Sequence, residues 1–141
     1  MIQLVRIEDG LPEGFERLRA EAAAEGHRHM DRLAAEWAAG EPRFVALLAA
    51  LAGGGLAGIG GLTVEPEPSE EPALRMRRLY VGPAHRRDGV GRAIATALIQ
   101  EAFGQTALIT VHAGGDAAAA FWEAQGFTSV ANRPWSHQLR R

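Results

Sequence analysis

Two spacings of apolar residues recur along the chain, and together they predict alternating strands and helices. Alternating or continuous apolar runs predict strands at 2–7, 43–52, 56–64, 74–81, 107–112, 128–131 and 135–139. Apolar residues three and four positions apart predict helices at 13–24, 28–39 and 117–125, and another that begins after Gly89. A mixed sheet with helices on both faces satisfies the resulting order, β-αα-βββ-α-β-α-ββ.

Glycines, prolines and short polar residues mark the connections between these elements. Gly53, Gly54 and Gly55 separate two apolar runs of similar length, which predicts a β-hairpin, although the alanine-rich first run could also form a helix. Segment 65–72 holds three prolines and four glutamates and is predicted to be a solvated loop. Asp116 is expected to be the N-cap of the helix that follows it.

The turn between strand 74–81 and the next helix is rich in glycine and arginine. It contains Arg86, Arg87, Asp88, Gly89, Val90, Gly91 and Arg92. The first amides of a helix lack intrahelical partners and sit at the positive end of its dipole. Glycines without a Cβ let phosphate oxygens approach the backbone closely. With the added charge of the arginines, this turn predicts a binding site for a pyrophosphate.

Length and composition limit the classes of protein that remain. A chain of 141 residues predicts one domain over 1–141, and a net charge of −2 argues against bulk nucleic-acid binding. The chain has no cysteine and no lysine, which excludes a thiolate nucleophile, a P-loop lysine and a Schiff-base lysine. No apolar run approaches membrane-spanning length, so we expect a cytoplasmic protein that binds no membrane. The bias toward alanine, arginine and glycine is typical of a bacterial GC-rich genome.

Two motifs in the second half of the chain resemble the signatures of the GNAT superfamily of acyl-CoA-dependent N-acyltransferases. Arg86, Gly89 and Gly91 match Gln/Arg-x-x-Gly-x-Gly/Ala at a strand–helix turn, and 118–127 is similar to the second signature, which ends in aromatic-x-x-x-Gly-Phe. The resemblance implies a mixed, mainly antiparallel central sheet with helices on both faces. An unrelated nucleotide-binding α/β protein is the weaker alternative, because 58–61 lacks the spacing of a dinucleotide turn.

The resemblance also implies how acetyl-CoA binds. The backbone amides of 86–92 would hold its pyrophosphate, and the strand residues Leu79, Tyr80 and Val81 would contact the pantetheine arm, which pairs with the exposed backbone of Leu79 and Val81. Strands 74–81 and 107–112 would separate to admit that arm. Its other side would be lined by the helix residues Ala118, Phe121 and Trp122. No metal is expected, since His27 and His29 lack a third ligand.

The catalytic residues of the family are only partly matched. The resemblance implies that the Val81 amide stabilises the oxyanion, but Trp122 occupies the position of the usual acidic tyrosine and Arg75 that of a common glutamate base. His112 is our first replacement for proton transfer, and its alternative role is a strand-end histidine bonded to the backbone. Tyr80 is the second, although its side chain should point away from the face of Val81 and pack.

These inferences predict an acetyl-CoA-dependent N-acetyltransferase that acts on a primary amine of a small molecule or peptide by direct attack on the thioester. The alternative is a catalytically silent acyl-CoA-binding or sensing protein. Two loop glutamates, Glu65 and Glu67, could act as a base through water, or be solvated. An arginine run at 75–78 could attract an anionic acceptor or be paired. The chain is expected to be a monomer or a homodimer, in which 132–141 could pair sheet edges.

Overall fold

The strands and helices follow the order that the apolar spacing predicts. A computed structural model describes residues 1–141. Its strands are β1 (Gln3–Arg6), β2 (Phe44–Ala52), β3 (Gly55–Val64), β4 (Ala73–Val81), β5 (Leu108–Val111), β6 (Thr128–Ser129) and β7 (His137–Arg140). Its helices are α1 (Phe15–Ala24), α2 (His29–Ala39), α3 (Val90–Phe103) and α4 (Asp116–Ala124), with a short 3₁₀ turn at Pro83–His85. None of these helices has the length and apolar character that a membrane span requires.

All seven strands form one sheet in the order β1-β2-β3-β4-β5-β7-β6. Every neighbouring pair is antiparallel except β4 and β5, which are parallel, so the predicted mixed and mainly antiparallel sheet is confirmed. The alanine-rich run forms strand β2 rather than a helix, and the hairpin that follows it turns at Gly53 and Gly54. Both glycines have positive φ, 62° and 83°, as a tight two-residue hairpin turn requires.

Helices cover both faces of the sheet, as predicted, because the strands alternate their apolar side chains between two cores. Helices α3 and α4 pack on one face, where Ile94 and Leu98 are almost fully buried against β2, β3 and β5. Helices α1 and α2 pack on the other face, where Leu18 and Leu33 are buried against β2 and β3. Burial of each such side chain contributes about 1.5–3 kcal/mol to stability. The two cores therefore fix the position of β4 from both sides.

Strand β4 has two irregularities, and both change its pairing with neighbouring strands toward the carboxyl end of β4. It pairs with β5 only through residues 73–75, so its outer edge is unpaired from Met76 to Val81. Between the pairs Gly61–Arg77 and Ile59–Tyr80 it carries a bulge, at which Arg78 adopts a φ of 54°. The two parallel strands therefore separate, as the resemblance implies.

Three local expectations need correction. Asp116 is the first residue of α4 rather than its N-cap, which is Gly115, and no side chain caps this helix. The loop after β3 is not uniformly solvated, because the Glu65 side chain is only 2% exposed. Strand β7 lies between β5 and β6, so the sheet edges are β1 and β6, and the C-terminal strand does not offer the edge expected for a dimer.

Candidate active site

A cleft of about 440 Å³ opens where β4 and β5 separate. One wall is β4 from Arg75 to Leu79, and the opposite wall comes from the end of β5 and from α4. Helix α2 closes a third side with His29 and Arg32. The cleft thus lies at the carboxyl ends of the only two parallel strands, beside the glycine-rich turn that follows β4.

The turn presents a row of backbone donors without partners. These are the amide N–H groups of Arg87, Gly89, Val90, Gly91 and Arg92, none of which donates to another group of the protein. Arg87 and Gly89 have positive φ, 71° and 82°, and Asp88 closes the turn with a 3.4 Å bond from its N–H to the His85 carbonyl. The side chains of Arg87 and Arg92 are exposed and form no ion pair. Together with the dipole of α3, these groups can bind an anion.

Arg86 has a different role from its neighbours. Its guanidinium binds both carboxylate oxygens of Glu25 at 2.6 Å, and its Nε donates to the Val81 carbonyl at 3.1 Å. The positive charge expected from Arg86 is therefore already neutralised, and its side chain fastens the turn to the end of α1. The hydrogen bond from Arg86, followed by that from Tyr80, lowers the pKa of Glu25 to about 2.

Tyr80 is not part of the cleft. Its ring packs in the core beneath α1 and α2, and its hydroxyl donates to Glu25 at 2.6 Å. Burial, reinforced by the bond to Glu25, raises the pKa of Tyr80 to about 12. The structure therefore favours the packed role for this tyrosine over the catalytic one.

The backbone of Val81 faces the open edge of β4. The Gly82 N–H donates to the Ala57 carbonyl at 2.8 Å, so the preceding pair, Gly58–Val81, is the non-bonded type of the antiparallel ladder. In such a pair the N–H and C=O groups point away from the partner strand. The bond from Arg86 Nε to the Val81 carbonyl agrees with this orientation. The Val81 N–H has no protein acceptor and can donate to a ligand.

Helix α4 supplies the wall opposite β4. Ala118 and Trp122 line the cleft, and Trp122 packs edge-on between Phe121 and Phe127 at ring distances of 4.9 and 5.3 Å. Phe121 lies over the turn, since a Cβ at Gly91 would stand 3.4 Å from its ring. The α4 residues singled out in the sequence therefore come to the cleft or to the turn beside it.

His112 lies at the mouth of the cleft, just past the end of β5. It is exposed and lines the cleft, and no group of the protein hydrogen-bonds to its imidazole. The alternative of a strand-end histidine bonded to the backbone is therefore not observed. A free imidazole at this position can accept or donate a proton.

The sequence interpretation missed the contribution of α2. His29, Arg32 and Glu36 lie at positions i, i+3 and i+7, which places them on one face of the helix. Glu36 binds Arg77 at 2.5 Å and Arg78 at 2.7 and 3.0 Å. Burial, and then the nearby cations Arg78, His27 and Arg32, lower the pKa of His29. The polar spacing within an otherwise apolar helix was the signal that could have located this face.

Arg75 lines the cleft, and it forms a buried pair with Glu65, which does not. Arg75 donates to both carboxylate oxygens at 2.8 and 3.0 Å, and Thr110 and the Glu67 N–H complete the network. Glu65 was expected to be a solvated loop residue or a base acting through water. Its carboxylate is instead fully engaged, because a buried charge must be paired.

Comparison with known proteins identifies the family. Residues 11–127 match the Acetyltransferase (GNAT) family, so the chain belongs to the GNAT acetyltransferases. No curated protein matches the sequence. The mixed sheet described above is the fold of its structural neighbours.

Solved structures share this fold at low sequence identity. A candidate acetyltransferase from Exiguobacterium sp. 255-15 superposes with a TM-score of 0.87 at 22% identity, over 99% of this chain and 93% of that one. A GNAT family acetyltransferase from Brucella melitensis in complex with acetyl-CoA gives a TM-score of 0.66 at 14% identity, over 100% and 96% of the two chains. A GNAT family acetyltransferase from Staphylococcus aureus Mu50 gives 0.67 at 10% identity, over 98% and 96%.

Proposed function

We propose that the protein is a single-domain, acetyl-CoA-dependent N-acetyltransferase that acts on a primary amine of a small molecule or peptide. The observation that carries this proposal is the row of unpartnered amides at the start of α3, directly after a strand whose outer edge is unpaired from Met76 to Val81. An extended arm that ends in a pyrophosphate matches both features. In the Brucella melitensis relative the ligand is acetyl-CoA.

The residues present fit this ligand. The amides of the turn would hold the pyrophosphate, and the exposed guanidinium groups of Arg87 and Arg92 would add charge. The backbone of Leu79 and Val81 would pair with the pantetheine arm as an added strand does. Ala118, Phe121 and Trp122 would form the apolar opposite side, so we place the arm between β4 and α4.

Acetyl-CoA would supply the acetyl group as a thioester, whose C–S bond breaks as the C–N bond to the acceptor forms. The Val81 N–H is free to donate to the carbonyl oxygen as negative charge develops there. His112 would take the proton that the attacking amine loses. The Trp122 indole cannot act as an acid near neutral pH. None is required, because a thiol of pKa roughly 8.5 is a tolerable leaving group as the thiolate.

Calorimetric titration with acetyl-CoA, followed by a thiol-release assay across a panel of amines, tests this proposal. We expect Arg87→Gln/Arg92→Gln to weaken acetyl-CoA binding roughly tenfold or more, since each exposed arginine contributes about one charge-assisted contact. Arg43→Gln is the matched control, because Arg43 is also exposed and unpaired but lies outside the cleft. Failure of the wild-type protein to bind acetyl-CoA would refute the proposal.

The role of His112 has a separate test. His112→Ala should lower kcat and change the pH profile of kcat, while acetyl-CoA binding is unchanged. An unaltered profile would assign proton acceptance elsewhere, with His29 next. The second candidate function is that of a catalytically silent acyl-CoA-binding protein. The observation that favours it is Trp122, which stands where the family's tyrosine acid is usual. Binding of acetyl-CoA without thiol release from any amine would support it.

A further inference from the structure

The cleft has an unusual balance of charge. Its lining includes four arginines and two histidines, and no aspartate or glutamate. The acceptor amine must enter through this cleft if the proposed transferase function is correct. The charges that face it therefore select the acceptor.

The arginines of the cleft are not equally neutralised. Arg75 is matched by Glu65, but Arg77 and Arg78 share one carboxylate, Glu36, and Arg32 has no carboxylate within 4 Å. Three cations against one anion leave two uncompensated positive charges on the wall formed by α2 and β4. No carboxylate on this wall is free to bind a cationic acceptor such as a polyamine.

A second observation points to the same wall. Arg77 Nε is the one buried side-chain nitrogen or oxygen of the protein that has no hydrogen-bond partner. Buried polar groups are nearly always paired, because an unpaired donor retains its full desolvation cost. Arg77 itself lines the cleft, so this unpaired donor adds to the uncompensated positive character of the wall.

We infer that the acceptor is an amine that also carries an anionic group, a carboxylate or a phosphate, and that Arg32 binds this group together with Arg77 and Arg78. Arg32 is the exposed member of the three and forms no ion pair, so it is free to reorient toward the anion. Arg77 and Arg78 are held by Glu36 and provide a fixed positive wall. The inference rests on the proposed function.

The first part of the test compares matched amines in the thiol-release assay. Glycine and leucine are each paired with the corresponding α-carboxamide, phosphoethanolamine is paired with ethanolamine, and spermidine serves as the cationic probe. We expect the anionic member of a pair to have a kcat/KM at least tenfold higher. Amine reactivity cannot produce this preference, because the carboxamides have the less basic and more readily deprotonated amine. If the amino acids show the larger preference over their uncharged partners, the anion is a carboxylate. If phosphoethanolamine shows the larger preference over ethanolamine, it is a phosphate.

The second part uses variants and a binding readout. Arg32→Gln should raise the KM of the anionic amine about tenfold with kcat within about twofold, leave the KM of acetyl-CoA unchanged, and leave the carboxamide unaffected. Arg43→Gln should change none of these values. Calorimetry of the same amines with protein saturated with coenzyme A measures the selectivity without turnover.

The outcomes separate this inference from the transferase proposal. Binding of the anionic amine, weakened by Arg32→Gln, supports the inference even if no thiol is released. Equal or better binding and turnover of carboxamides or spermidine overturns it, although the transferase proposal then stands. An Arg32→Gln variant that binds the anionic amine as tightly as the wild type also overturns it.

Discussion

The pair formed by Glu65 and Arg75 makes a sharp prediction about stability. Glu65→Gln keeps the size and shape of the side chain and changes only its charge and two of its acceptor sites. The two side chains are 2% and 11% exposed, so solvent cannot replace the lost interaction. Removing one partner of a buried ion pair costs about 3–5 kcal/mol, and we expect about 3 kcal/mol here.

The hydrogen bonds of Glu65 explain this magnitude. Both carboxylate oxygens accept, from the guanidinium of Arg75, the hydroxyl of Thr110 and the backbone N–H of Glu67. A glutamine offers one oxygen, so its NH₂ group must face a donor, and the Arg75 guanidinium loses its counter-charge. With an unfolding entropy of about 2.1 cal/mol/K per residue, a loss of 3 kcal/mol lowers Tm by about 10 °C.

Urea unfolding followed by tryptophan fluorescence measures the effect. Glu67→Gln is the matched control, because Glu67 lies in the same loop but its side chain is exposed and unpaired. We expect this control to stay within about 0.5 kcal/mol of wild type. If Glu65→Gln were as stable as Glu67→Gln, the buried network would not contribute to folding and the reasoning would fail.

Further predictions concern ionisation and packing. Tyr80 is the only tyrosine, so absorbance of its phenolate should titrate near pH 12 instead of 10, and Glu25→Gln should lower that midpoint. The pKa of Tyr80 is higher in the folded than in the unfolded protein, so the stability linked to Tyr80 is complete below pH 10 and is lost as the pH rises toward 12. A free energy of unfolding that does not change with pH over that range would contradict this. The pKa of Glu25 is lowered, so its contribution is present above pH 4.5 and is lost as the pH falls through about 2, which carboxyl-carbon NMR can follow. Gly61→Ala would place a Cβ 2.5 Å from the Phe44 ring and should cost about 1–3 kcal/mol, whereas Gly10→Ala, with open space around it, should be neutral; equal Tm values would refute the packing argument.

The features predicted best from the sequence are those that depend on local backbone chemistry. The hairpin at Gly53 and Gly54 follows from the positive φ that both residues adopt. The turn at 86–92 follows from glycines and a helix start, which determine the free amides without reference to distant residues. The order of the elements was likewise predicted from the apolar spacing, because the apolar positions are those that the two cores bury.

The features that were missed depend on contacts between distant segments. The sequence indicates only that Glu65 is a loop residue. Its partners, Arg75 and Thr110, lie on β4 and β5 and are brought to it by the fold. The sequence indicates only that Arg86 is a cation. Its partner, Glu25 at the end of α1, is 61 positions away in sequence. Neither pairing has a local pattern, because ion pairs across elements require only that the fold bring the charges together.

The bulge in β4 is a local backbone feature that makes a contact between distant segments possible. In a regular strand, neighbouring side chains point to opposite faces, so Arg77 and Arg78 could not both reach the same carboxylate. The positive φ of Arg78 breaks this alternation, and both arginines bind Glu36 on α2. Helix α2 is therefore tied by charge to the segment of β4 whose outer edge is unpaired. On the function proposed above, backbone amides that a glycine motif specifies would hold the cofactor, and side-chain charge on α2 and β4 would hold the acceptor. That proposal predicts that substitutions on α2 change which amine binds without changing the turn at 86–92.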